Sequence, residues 1–350
     1  MTTSISQLFF LPLRNAAGQA ELHAAKMSVG ASALDVAFWA RTAFYRYIAD
    51  QQILELRRTV LLAARASFQA AQGLYEAGNI NELDLANEQA LYEETRIAVA
   101  QSEVALVSSR ERLNSLMGLF GREGATWRTA GRLPEPPKNL PELENLERKA
   151  VAQSVDLALT RGRFAAAAAR INAAYPAAWI PDFRAGVGAE REEGDWELGP
   201  VVEVEIPLFY QGQGLIGRGE AELRRQRNLS AEVALLIRAQ ARSLATGLLS
   251  AREKVTFYKK VLLPLRERIV NQTQLQFNAM TVGVFQLLQA KRDQVEVGRA
   301  YVEALRNYWV QRAAVKQLLA GRLVRSAPDT TSPVEAPQTD SAPAQGGEQH

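Results

Sequence analysis

The sequence predicts a mainly α chain with a small β part, built from duplicated long helical hairpins. Three observations carry this. Two helical patterns, from Arg14 to about Tyr75 and from about Leu215 to Phe277, each run for roughly 60 residues without a strong breaker, on the order of 90 Å at 1.5 Å per residue. Each is followed by a short break and a further helical pattern. Between the two hairpins, over Asp182–Ile206, the hydrophobic period drops to two.

Taken in order, the chain opens on Met1–Leu13 (MTTSISQLFFLPL), a strand-like run that passes straight into the first long helix with no cap or lead-in element. No stretch reaches the roughly 18 consecutive apolar residues of a transmembrane helix, and no signal-peptide pattern begins the chain. Two readings follow: a cytosolic protein, or an exported one whose start is missing. The second expects Met1 to look like the middle of something, as it does.

The break Gly78-Asn79-Ile80 leads into a helix over Asn81–Met117, and Met280-Thr281-Val282-Gly283 into one over Val284–Leu319, so two antiparallel hairpins are expected. In the second long helix Leu244, Leu248, Ala251, Val255, Tyr258, Leu262, Leu265 and Ile269 alternate in steps of four and three, a coiled-coil seam surrounded by Arg, Gln, Glu and Lys. Pro264 lies inside it and should kink it. Tyr75, Ala77, Ile80, Leu83, Leu85 and Leu116 each have a like residue 202 positions on, at Phe277, Ala279, Val282, Phe285, Leu287 and Leu318, which marks an internal duplication. At their N-terminal ends the units match at an offset of 195, Leu11-Pro12-Leu13 against Ile206-Pro207-Leu208. The difference is one heptad, so the second arm is expected to be two turns longer with its seam in phase.

Leu119–Pro141 is a connection bearing Gly and Pro, followed by helical stretches over Glu142–Ala152 and Val155–Ala174. In Asp182–Arg191 and Trp196–Ile206 apolar and polar positions alternate, with Glu192-Glu193-Gly194-Asp195 as a hairpin turn. One face takes Phe183, Val187, Leu198, Val202, Val204 and Ile206, and the other Arg184, Glu190, Glu197, Glu203 and Glu205. The strands have the 9 to 11 residues that cross a bilayer at a tilt. Trp179, Trp196, Phe209 and Tyr210 lie near their ends. A soluble hairpin with one face on a core fits the alternation as well, although no partner sheet is evident in the chain. The tail 326–350, rich in Pro, Ser, Gln and Thr, is expected to be disordered.

Composition excludes several functions. There are no cysteines among the 350 residues, so there is no disulfide scaffold, thiolate metal site or Cys nucleophile. The 41 basic and 38 acidic residues are interspersed, which argues against a nucleic-acid partner. With only His23 and His350, general-base chemistry is poorly stocked.

In its duplicated unit, in Tyr75–Leu85 and Leu113–Gly118, in Trp179-Ile180-Pro181 and in Val204–Gly212 leading to a long helix, the chain resembles the TolC-like outer-membrane efflux proteins over roughly residues 5 to 322. The segment Asn278–Lys291 resembles their heavy-metal branch. The resemblance implies a homotrimer in the outer membrane with its helices in the periplasm. Each protomer would lend strands to one shared β-barrel in contact with lipid and its helices to a periplasmic α-barrel. An adaptor protein and an inner-membrane transporter would complete the pump. Relative to that family the chain lacks the signal, the first helix and the first strand, so its start is read as truncated. Residues 1–118 then form a first repeat, 119–154 an equatorial connection and helix, and 155–325 a second repeat.

The hairpin tips become the expected aperture and adaptor contact: Gly78, Asn79, Ile80, Glu82 and Asp84 in the first, Met280, Thr281, Val282 and Gly283 in the second. Glu82, Asp84 and Glu88 could ring the lumen as a cation-selecting device and equally serve as carboxylates favoured at a helix N-terminus, and both can hold. The polar strand face, Arg184, Glu190, Glu197, Glu203 and Glu205, would line the barrel lumen, and Phe183, Val187, Leu198, Val202, Val204 and Ile206 would face lipid. Gly212-Gln213-Gly214-Leu215-Ile216-Gly217 mimics a dinucleotide-binding turn. However, its strand carries Glu203, Glu205 and Pro207, and its helix is several times too long. No catalytic residue, cofactor or metal is expected, even should the cargo be a copper-type cation. A soluble coiled-coil scaffold and a periplasmic adaptor protein remain as alternatives.

Overall fold

Two long helical hairpins laid side by side dominate the computed structural model, which describes residues 2–4, 11–129, 131–139, 143–179, 182–192, 195–205 and 212–327. After β1 (Thr2–Ser4) come α1 (Leu11–Glu76, 66 residues) and α2 (Glu82–Met117), the first hairpin. A connecting belt carries the short α3 (Gly121–Thr126) and α4 (Leu146–Ala152). Then follow α5 (Val155–Trp179), β2 (Asp182–Glu192) and β3 (Asp195–Glu205). The second hairpin is α6 (Gln213–Phe257), a π turn (Tyr258–Leu262), α7 (Leu263–Asn278) and α8 (Val284–Leu319). Among the described residues no helix is long and apolar enough to cross a membrane.

The strands form one antiparallel sheet in the order β1-β2-β3. Its register pairs Phe183 with Val204 and Ala185 with Val202, and Arg184 with Glu203 and Glu190 with Glu197. Positions 183, 187, 198, 202 and 204 therefore share one face and 184, 190, 197, 203 and 205 the other, as the alternation predicts. Ile206, Phe209, Tyr210 and the tail from 328 on lie outside the described residues.

Near the tips the helices stand in a row, α2 on α1, α1 on α8 and α8 on α7; farther up, α5 takes the place of α8 between α1 and α6. The core runs along this row through Ile48, Leu248, Val255, Leu305, Tyr308, Val315 and Leu318. The belt covers one face of it. Tyr47 meets Trp127 with ring centroids 4.9 Å apart, and Trp309 donates Nε1–H to the Pro134 carbonyl at 2.7 Å. Arg110 donates to the Ala125 and Trp127 carbonyls at 2.7 and 2.8 Å while its guanidinium lies over the Trp127 ring.

Two expectations about the second arm need correction. The seam is in place at Leu248 and Val255, both nearly inaccessible, but Leu265 and Ile269 are exposed and Val270 is buried instead. The π turn is the reason: the N–H of Leu263 bonds to the Tyr258 carbonyl five residues back, so one extra residue rotates everything beyond it. Pro264, which has no N–H and crowds the preceding turn, lies two residues after its end. The arms are also equal rather than a heptad apart, since Gln213–Asn278 holds as many residues as α1. The 195 offset rests on Ile206-Pro207-Leu208, outside the described residues. In addition, α5 runs five residues beyond its expected end, through Pro176 to Trp179.

The joint where α8 gives way to α5 is held by polar contacts that no seam pattern predicts. Gly321 adopts φ +90°, and its carbonyl accepts from Val155 N–H at 2.8 Å; a Cβ there would collide with the Gln153 carbonyl. The next residues form a strap. Arg322, 7% exposed, donates to both Asp35 carboxylate oxygens, Nε to Oδ1 at 3.0 Å and Nη2 to Oδ2 at 2.6 Å, and also to Asp156. Leu323 N–H donates to Asp156 at 2.7 Å and Gln317 to Asp35 at 3.1 Å. Val324 exchanges two 3.0 Å hydrogen bonds with the Gln240 side chain, and Trp39 Nε1–H donates to the Arg325 carbonyl at 3.0 Å. Asp35 stands at seam spacing between Ala31 and Phe38, so a charge there demands a buried partner. Arg322 supplies it, and the carboxylates raise the guanidinium pKa further.

Candidate functional site

Both hairpins end in the same turn. Gly78 and Met280, 202 positions apart, each adopt a left-handed conformation, φ +72° and +56°. At the first tip Gly78 and Asn79 donate to the Tyr75 and Leu74 carbonyls at 2.9 and 2.8 Å; at the second Met280 and Thr281 donate to Phe277 and Gln276 at 2.9 and 3.0 Å. This is the Schellman closure, which glycine makes without strain and methionine does not. The Met280 side chain is 93% exposed. The chain thus holds an apolar residue in an unfavourable conformation at the exposed tip of the hairpin.

The next helices are capped at once. Asn81 Oδ1 accepts from Asp84 N–H at 2.8 Å, and Gln286 Oε1 accepts from Gly283 N–H at 3.1 Å. Glu82 and Asp84 occupy the exposed first turn of α2, where the helix dipole favours them and where they also present negative charge at the tip. Glu88 is placed differently. It is half-buried and accepts from Ser67 of α1, with Arg292 of α8 nearby, so it does not join a ring of free carboxylates. Burial lowers the Arg292 pKa against the pull of Glu88 and Asp293, and its Nε has no hydrogen-bond partner.

Among the described residues the row α2-α1-α8-α7 has two free edges, and both are apolar. On α2 one heptad seam, Thr95, Val99, Ser102, Ser109 and Leu113, is buried. A second one, on Leu83, Ala86, Ala90, Ile97, Ala100, Val104 and Val107, is exposed, its large residues by 60% or more. At the other edge Phe257, Val261, Leu265 and Ile269 form a ridge at steps of four, 37% to 53% exposed. Ile97 lies 16 residues past Asn81 and Leu265 14 before Ala279, or about 24 and 21 Å up from the tips, so the two stripes stand at one height. The sequence pattern marks neither stripe as an open edge: it assigns Leu265 and Ile269 to the buried seam and Leu83 to the repeat, although the α2 spacing of three and four is plain once sought. Among the described residues no three His, Asp or Glu side chains gather as a metal site.

No family model matches the sequence, and no curated protein does. Solved structures do. A membrane protein from Pseudomonas aeruginosa is similar with a TM-score of 0.76 at 15% identity, over 92% of this chain and 74% of that one. The outer membrane protein VceC from Vibrio cholerae is similar at 0.73 and 14%, over 92% and 79%. The open state of the Neisseria gonorrhoeae MtrE outer membrane channel is similar at 0.67 and 16%, over 92% and 74%. Across most of its length, this chain has the fold of the TolC-like outer-membrane efflux channels.

Proposed function

We propose that this protein is the exit duct of a tripartite efflux pump. Three copies close a ring in which the α2 edge of one packs on the α7 edge of the next. Their sheets join into one barrel in the outer membrane, and the helical tips reach through the periplasm to an adaptor protein and an inner-membrane transporter. The duct conducts passively, and no bond is made or broken in it.

The observation that carries this reading is the pair of unpartnered apolar seams at opposite edges of one row of helices. Burying a Leu, Ile or Val contributes roughly 1.5–3 kcal/mol, so stripes of four to seven apolar residues are costly to leave in water. Different surfaces at the two edges make a head-to-tail contact, which a ring closes. The sheet calls for the same solution. Three strands with two open edges cannot stand alone in lipid, but strands from several chains can share one closed barrel. In that barrel positions 183, 187, 198, 202 and 204 face lipid and 184, 190, 197, 203 and 205 face water. The fold of the neighbouring channels supports the same placement. The cargo is small molecules or heavy-metal cations, the second supported by the likeness of segment 278–291 alone.

The native absence of cysteine supplies the test. Ile97→Cys and Leu265→Cys are introduced together, and outer membranes are oxidised and run on a non-reducing gel. A trimer-sized band that needs both cysteines is expected, and Ile97→Glu with Val104→Glu should abolish both the trimer and the conductance of reconstituted protein. A chain that stays monomeric in neutral detergent at every concentration overturns the proposal.

A further inference from the structure

On the face of the row turned away from the belt lies a cavity of about 580 Å³ between α1, the end of α2, α8 and the strap. Its side is fixed twice. On α1, Gln51 reaches the belt through Thr129, whereas Trp39 and Arg46 lie about 120° and 140° round the helix from it. On α6, Arg242 binds Glu147 of the belt, while Gln240, on the opposite side of the helix, binds the strap.

The lining is unusual in its charge. It includes Arg46, Arg112, Arg306 and Arg325 and no acidic residue, alongside an apolar wall of Phe38, Trp39 and other residues. Among the described residues two carboxylates approach from outside the lining. Asp156 is 3.6 Å from Arg325 but is already engaged by Arg322 and Leu323. Asp50, half-buried behind Arg46 and Arg306 and hydrogen-bonded to Ser109, is held towards its neutral form by burial. Leaving Arg112 aside, Arg46, Arg306 and Arg325 stand against these two carboxylates among the described residues and leave the cavity positive, and the arginine fork is suited to carboxylate, sulfonate and phosphate.

We propose that this cavity binds an organic anion, its acidic group held by Arg46 and Arg306 and its apolar body resting on Phe38 and Trp39. The cavity is the size of an ordinary small-molecule site and mixes apolar wall with a few convergent polar groups, as such sites do. It belongs to a single chain. That it opens on the bore, where three of them would ring the path of the cargo, rests on the duct reading, because a belt on the other face can only lie outside a ring.

The test is calorimetric titration of the full-length chain, in a neutral detergent, with 1-naphthalenesulfonate and with its uncharged counterpart 1-naphthalenemethanol. The sulfonate is expected to bind saturably with a dissociation constant below about 1 mM, and the alcohol at least tenfold more weakly. Arg46→Gln with Arg306→Gln should weaken the sulfonate at least tenfold, and so should Ala43→Trp, which fills the cavity while keeping every charge. Arg96→Gln, on the exposed face of α2, should leave binding unchanged. A far-UV melt establishes that each variant is folded. Absence of saturable binding to the wild type, equal binding of alcohol and sulfonate, or undiminished binding by a folded double variant overturns the proposal. If copies fail to assemble yet the sulfonate still binds, the duct reading falls and this one stands; if rings form and conduct without binding it, the reverse holds.

Discussion

Replacing Arg322 by Ala is the sharpest perturbation of the joint. It removes the guanidinium that donates to both oxygens of Asp35 and to Asp156, and leaves two carboxylates that are 6% and 4% exposed. Removing one partner of a buried pair costs about 3–5 kcal/mol. Three donors remain, from Gln317, Leu323 and the more distant Arg325, so the lower end of that range, about 3 kcal/mol, is expected. With an unfolding entropy of about 2.1 cal/mol/K per residue over roughly 300 residues, this lowers the midpoint of a far-UV thermal melt by about 5 °C. The diagnostic comparison is the triple variant Asp35→Asn, Asp156→Asn, Arg322→Met. With no charge left to strand, it should recover most of the loss. A single variant that melts within about 1 °C of the wild type, or a triple variant as weak as the single one, refutes the account.

Two further outcomes are expected. Met280→Gly relieves a left-handed methionine and should stabilise the second tip by about 1 kcal/mol, read as slower amide exchange in the last turn of α7, while weakening adaptor capture in a pull-down. Asp50→Asn tests the buried carboxylate by pH. The folded pKa of Asp50 is raised above 3.8, chiefly by burial, so its contribution is most favourable at low pH and is lost as pH rises through the raised value. Melts taken from about pH 4 to 7 should show the wild type losing stability relative to the variant, and the gap closing at the acid end.

What the sequence made legible was whatever repeats. The hairpins, their tips and the strand alternation follow from period and punctuation, and α8 begins and ends where its pattern does. The seam beyond Tyr258 was misread because periodicity assumes a constant 3.6 residues per turn, and nothing in the steps of four and three reports that a wider turn precedes Pro264. The joint was hidden for another reason. Asp35 and Arg322 are separated by 287 positions, and a pairing across that distance leaves no local trace beyond a charge at an apolar position. The open edge of α2 was legible in principle. A helix with two heptad seams has two faces to cover, and among the described residues only one of them is covered.

The strap also orders events in time. Each hairpin closes on contacts local in sequence and can form as soon as its own two arms exist, whereas the clasp at Asp35 waits for a guanidinium made 287 residues later. A partly synthesised chain can therefore hold finished rods without fastening one to the other. The final alignment of the two rods is withheld until Arg322 itself has emerged.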